Sequence, residues 1–362
     1  MSRFLSLNLL LIGVPLAILA KLAGWSDIAV FTFSALAIVP LSSLIGSATE
    51  TVAEETGPQI GGLLNATLGN AAELIITFFA LQAGLIELVK ASIVGSVLGN
   101  LLLVTGMSLL VGGFRHGTQT FDKRGVSTNT TLMILAFMAL VIPTVFDTAV
   151  LGIGLGGGSS PYDPQRELLF SVGIASVMIV LYVMSVIFTI RNPFREAEEE
   201  AAEAENPPNI PHAVLILAGS TIAIVVMSEL LVGAVEPVVK QIGLSEAFMG
   251  LILIPIIGNV AEHIVAVRFA IQNRMNLSLT ISFGSSLQIA LFVAPVLVFI
   301  GLLFPQHLLL VFSRYELLAL ATASIAALLV SSDGESNWLE GAELLAVYII
   351  LAFAFYAIPS GL

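Results

Sequence analysis

The chain of 362 residues contains no cysteine. That absence excludes disulfides, thiolate metal centres and cysteine nucleophiles together. Charge is also scarce: Asp, Glu, Lys and Arg make up 10% of the residues, where soluble domains carry roughly 25%. So few charges cannot keep a globular surface in water. Bases are the rarer sign, 13 against 25 acids, which leaves no basic face for nucleic acid. What is abundant is apolar: 57% of residues are hydrophobic and the mean hydropathy is +1.02, which excludes disorder. The apolar runs are continuous, unlike the short alternating segments of a membrane β-barrel. The composition implies an all-α polytopic membrane protein.

A hydrocarbon core of roughly 30 Å needs about 20 apolar residues per helix. Runs bounded by charge, Pro and Gly predict about eleven transmembrane helices, at 4–24, 28–53, 59–84, 88–113, 126–150, 167–190, 212–238, 246–270, 277–303, 314–332 and 338–358. No small-residue cleavage site follows the first run, which reads as a retained helix. With the N-terminus cytoplasmic, the inner segments hold Arg3, Arg115, Lys123, Arg124, Arg191, Arg195, Arg268 and Arg274. The outer ones hold Lys21, Lys90, Arg166, Lys240 and Arg314. This excess of inner bases favours a cytoplasmic N-terminus. The short N-terminus without an organelle signal points to a prokaryotic cytoplasmic membrane.

The segment RNPFREAEEEAAEAENPPNIP at 191–211 holds six Glu and reads as a solvated cytoplasmic linker. A cation-sensing role is disfavoured, because the spaced ligands and central Gly of an EF-hand are missing. On either side of it the sequence repeats. Gly69-Asn70-Ala71-Ala72-Glu73 returns as Gly258-Asn259-Val260-Ala261-Glu262, and Gly95-Ser96 as Gly284-Ser285, both at an offset of 189. The expected organisation is an N-terminal helix (1–26), a five-helix repeat (27–190), the linker (191–211) and a second five-helix repeat (212–362). An odd number of helices per repeat makes successive copies enter the membrane in opposite senses. This inverted topology is the plan of many secondary transporters, with the substrate held near midplane.

Glu73 is the only charged residue between Glu55 and Glu87, and Glu262 the only one between Glu246 and Arg268 apart from the titratable His263. A charge at that depth costs at least roughly 2.5–3.5 kcal/mol. A lone Glu there can serve as protonated interhelical glue, but a pair in matching boxes points to function. Asn70 and Asn259 each lie three residues before a Glu and are expected on its helical face. Gly69, Gly258 and Pro255 predict local unwinding that leaves carbonyl oxygens facing a cavity. Ser96 with Asn100, and Ser285 with Gln288, add hydroxyl and amide oxygens three or four residues apart. Hard oxygen donors of this kind suit Ca2+. His263 reads as a neighbouring partner or proton carrier. Glu50 and Glu229, isolated acids of the second and seventh spans, are candidates for gating, with simple helix termination near water as the alternative. Glu54 and Glu55, beside Gly57-Pro58, read as such a helix end.

GNAAELI at 69–75 and GNVAEHI at 258–264, together with SATETVAEETGPQIGGLLNATLGN at 47–70, resemble the repeat signatures of the Ca2+/H+ antiporters, the CAX branch of the Ca2+:cation antiporter superfamily. The resemblance covers nearly the whole chain. It implies an eleven-helix fold that binds Ca2+ between its repeats. It carries the family's carboxylates onto Glu73 and Glu262, its polar ligands onto Asn259, Ser285 and Gln288, and an accessory carboxylate onto Glu50. Na+/Ca2+ exchangers of the same superfamily place an Asp where this chain has the amides Asn100 and Gln288, which implies protons as the counter-ion.

The expected activity is therefore exchange of Ca2+ for H+ by alternating access, both competing for Glu73 and Glu262, without a cofactor. An empty site carries two buried negative charges and is costly to pass through a dehydrated state; Ca2+ or two protons cancel them. A Na+-coupled exchanger is the alternative, and a cation channel a more remote one. An enzyme is not expected, since no HExxH, GxSxG or Cys–His set is present. Calcium, protons and the lipid bilayer are the expected partners, with a second copy of the chain a further candidate.

Overall fold

A computed structural model describes residues 7–147, 164–191 and 209–357. The described residues form eleven helices. They are α1 (Leu9–Leu22), α2 (Asp27–Leu68), α3 (Ala71–Gln82), α4 (Ile86–His116), α5 (Lys123–Asp147), α6 (Pro164–Arg191), α7 (Ile210–Ile242), α8 (Glu246–Ile271), α9 (Met275–Gly301), α10 (Arg314–Val330) and α11 (Trp338–Tyr356). Two short strands, β1 (Gln119–Thr120) and β2 (Glu335–Ser336), pair antiparallel between the loops after α4 and α10. Arg3 and nearly all of the acidic segment at 191–211 lie outside the described residues.

Local chemistry explains the ends. Gly24, Gly84 and Gly243 take positive φ after α1, α3 and α7, the left-handed turn that glycine adopts without penalty. Ser245 caps α8 by accepting from the Phe248 N–H at 3.1 Å. Reciprocal capping boxes, Ser313 with Glu316 and Asn337 with Glu340, open α10 and α11.

Eight helices among the described residues are long and apolar enough to cross a membrane; α1, α3 and α10 are shorter. Burial orders them. The spanning windows of α4 and α9 are 83% and 67% buried inside the protein, those of α6 and α11 only 17% and 22%. So α4 and α9 form the interior, and α6 turns Leu169, Val177 and Met184 outward, the apolar surface that lipid requires.

The second and third spans differ from expectation. Helical residues continue through Gly57-Pro58 to Leu68, yet a Cβ on Gly61 would collide with the Ala53 carbonyl. A straight helix holds residues eight apart at about 12 Å, so α2 bends sharply there, where proline removes a backbone donor. The expected span 59–84 is instead broken at Gly69–Asn70, and α3 starts at Ala71.

Three interior stretches widen from α to π geometry: Gly99–Val104 in α4, Met249–Leu253 in α8 and Ile289–Val293 in α9. Such turns frequently mark functional sites. Between α4 and α8 the backbones touch. A side chain on Gly95 would strike the Leu251 carbonyl, and one on Gly250 would meet Ala91 and the Leu88 carbonyl. Only small residues permit that approach, and it brings Ser96 of α4 within reach of Asn259 of α8.

Candidate functional site

The site is built from α3, α4, α8 and α9. Asn70 stands at the N-cap of α3 with φ −103° and ψ 24°, outside helical geometry. Its side chain makes no capping bond and turns to Gln288 on α9. Glu73 occupies the first turn of α3, where the positive end of the helix dipole favours a carboxylate. On α8 the helix runs through Gly258, so the unwinding expected there does not occur. The irregularity lies earlier, in the π turn before Pro255.

Hydrogen bonds between helices join six of the polar side chains in three pairs. Asn70 Nδ2 donates to Gln288 Oε1. Asn259 Nδ2 donates to Ser96 Oγ at 3.1 Å and to the Pro255 carbonyl at 3.0 Å. Asn100 Nδ2 donates to Ser285 Oγ at 2.9 Å, next to Glu262. Glu73 lies close enough to feel the charge of Glu262. Asn70, Asn259, Ser96, Asn100, Ser285 and Glu73 are buried, and Gln288 and Glu262 half-buried. All eight residues expected as ligands thus meet in one place.

The amides leave a consistent remainder. Among the described residues, Asn70 Oδ1, Asn259 Oδ1 and Glu262 Oε2 are buried with no hydrogen-bond partner. All three are acceptors, and the Pro255 carbonyl fixes the orientation of Asn259, since it can only accept. Buried acceptors without a donor are costly. Neither carboxylate is paired with Lys or Arg among the described residues, whose ion pairs join Lys90 to Glu87 and Lys240 to Glu236. No group of three His, Cys, Asp or Glu forms a metal site among them either. The donor set is two carboxylates with amide and hydroxyl oxygens, which suits a hard cation.

A small cavity beside Glu73 is lined also by Thr77, Ser92, Ser96 and Gly258. Thr77 and Ser92 are absent from the expected ligands. The signal was present: Thr77 lies four residues after Glu73 and Ser92 four before Ser96, each one turn away. Gly258 has an unforeseen part. A Cβ there would stand 3.0 Å from Glu73 Oε1 and 3.4 Å from its Cδ, so the bare backbone makes room for the carboxylate.

The remaining candidates take no part in these hydrogen bonds. Glu50 on α2 and Glu229 on α7 are exposed, and Glu50 makes an interaction of its own. His263 is half-buried on α8, and its Nε2 has no partner among the described residues. As the neighbour of Glu262 in the chain it points about 100° away around the helix.

The sequence matches the family model described as "Sodium/calcium exchanger protein" over residues 26–191 and 212–357. It is 41% identical to a Ca2+/H+ antiporter of Aphanothece halophytica, over 97% of this chain and 96% of that protein. It is 43% identical to the Ca2+/H+ antiporter ChaA of Bacillus subtilis, over 95% and 96%. Among solved structures, native YfkE superposes with a TM-score of 0.83 at 40% identity, covering 98% of this chain and all of the other. The H+/Ca2+ exchanger CAX gives a TM-score of 0.75 at 16% identity over 99% and 92%, a likeness of fold alone.

Proposed function

Because the chain belongs to the sodium/calcium exchanger protein family, we propose that it is an integral membrane transporter exchanging Ca2+ for H+ by alternating access. The Ca2+/H+ exchange of relatives matched along nearly their whole length supports this activity. The observation that carries the site is the unpaired carboxylate couple, Glu73 and Glu262, set among amide oxygens without donors. Glu73, Glu262, Asn70, Asn259, Ser96, Asn100, Ser285 and Gln288 hold the cation in this reading, and Glu50, Glu229 and His263 serve proton coupling or gating.

Coupling follows from charge. With both carboxylates ionised and no cation, the cluster carries two buried negative charges, which cost several kcal/mol each in a dry interior. Ca2+ removes that cost, and so do two protons. The neutral states can therefore reverse the side they face, while the empty ionised state is held back. The shared offset of 189 supports two inverted five-helix repeats, 27–190 and 212–362, behind an N-terminal helix in an eleven-span topology. It also relates the starts of two π turns: Gly99 shifted by 189 falls on Gln288, directly before Ile289. The bias of bases toward one side supports a cytoplasmic N-terminus and an acidic cytoplasmic linker, the bacterial relatives support a bacterial inner membrane, and self-association is compatible with the broad apolar face of α6.

The test is 45Ca2+ uptake into proteoliposomes of purified protein. An imposed pH gradient, acidic inside, drives accumulation, and an outward Na+ gradient alone does not. Accumulation on Na+ alone would assign a Na+-coupled exchanger. Flux at channel-like rates without any gradient of H+ would assign a channel.

A further inference from the structure

The three π turns are not made in the same way. Two are followed at the same spacing by proline: Met249–Leu253 by Ile254-Pro255, and Ile289–Val293 by Ala294-Pro295. Proline has no N–H with which to close an α turn, so the wide turn before it is enforced by covalent structure. The third, Gly99–Val104, is followed by Thr105-Gly106, and nothing covalent enforces it. Here a side chain stands in. Thr105 donates twice to the same oxygen, its N–H and its Oγ1 both reaching the carbonyl of Asn100, the hydroxyl at 2.9 Å. Thr105 is fully buried. The residue at the matching place in the second half is Ala294, which has no hydroxyl.

The carbonyl so held belongs to a residue of the cluster. Asn100 Nδ2 donates to Ser285 Oγ at 2.9 Å, beside Glu262. A relaxation of the turn to α geometry would rotate Asn100 about the helix axis and break its bond to Ser285. We propose that Thr105 is a positioning residue of the exchange site: its hydroxyl locks the π turn of α4 and so aims Asn100 at Ser285 and Glu262. This deepens the cation reading of that cluster and rests on it.

The experiment compares Thr105→Val, which removes the hydroxyl at nearly constant shape, with Thr105→Ser, which keeps it. Both full-length variants are purified with the wild type. KM and kcat for Ca2+ are measured in proteoliposomes under a fixed pH gradient, with thermal melting recorded alongside. Thr105→Val is expected to raise KM about tenfold, the cost typical of losing a partner that orients a ligand, with kcat and melting temperature near wild type. Thr105→Ser is expected to stay within about twofold of the wild-type KM. A Val variant with wild-type KM, or Val and Ser variants impaired alike, would overturn the assignment. So would a Val variant that melts far lower with KM unchanged, which is the mark of a structural role only. A wild-type protein that neither takes up nor binds Ca2+ would instead strike the cation reading itself, so the two failures are distinguishable.

Discussion

The carboxylate of Glu73 rests against the bare backbone of Gly258, one helical turn before Glu262 on the facing helix. The space a methyl group would fill at Gly258 is 3.0 Å from Glu73 Oε1. Gly258→Ala should therefore push the two carboxylates out of register and raise the KM for Ca2+ about tenfold. Stability should not fall, since Ala favours an interior helical position over Gly by about 1 kcal/mol. Transport kinetics and thermal melting on one preparation check both halves; an unchanged KM would show that Glu73 has room to move.

Removing either charge should be more severe. Glu73→Gln and Glu262→Gln keep shape and burial but delete a direct ionic ligand. Such a loss costs at least about 3 kcal/mol, or about 100-fold in affinity. Uptake into vesicles should drop to background while the purified variants melt cooperatively. Retained uptake by both would refute the assignment.

Acid should weaken Ca2+ binding. A carboxylate ligates only when ionised, so affinity is present at alkaline pH and is lost as pH falls. With two carboxylates the loss approaches two protons per cation, about 100-fold per pH unit in the limit. Calcium titrations of purified protein across a pH series measure the slope, and a pH-independent dissociation constant would count decisively against competition.

The α4–α8 crossing should tolerate no side chain. Gly95→Val would drive a branched side chain into the Leu251 carbonyl and separate Ser96 from Asn259. Gly95 and Leu251 are both buried, so overpacking of about 1–3 kcal/mol or more is expected. Low yield of folded protein in detergent, read by size-exclusion chromatography, is the outcome, against near-normal yield for Gly284→Ala, whose Cβ meets nothing within 4 Å.

Most of the architecture is legible in one dimension, because bilayer thickness and hydrocarbon chemistry act on each helix separately. Scarce charge and continuous apolar runs give the helical bundle, and most span ends agree with the structure to within a few residues, as at 88–113 against Ile86–His116. The paired boxes locate Glu73 and Glu262, since an isolated acid in an apolar run is visible wherever it points. Of the unwinding expected at Gly69 and at Gly258, the first occurs and the second does not, because glycine is also tolerated within membrane helices.

Sequence alone determined the solvent this protein folds in, the isolated acids Glu73 and Glu262 within its apolar runs, and the oxygen chemistry of their neighbours. Tertiary structure decided which of these oxygens meet. Asn70 reaches Gln288, Asn259 reaches Ser96 and Asn100 reaches Ser285 across residues far apart in the chain, and Glu50 and Glu229 stay outside the cluster. The reason is that distances between helices are set by backbone contact at Gly95 and Gly250 and by the rotation that each π turn introduces. Both depend on two helices at once and are invisible in the periodicity of either.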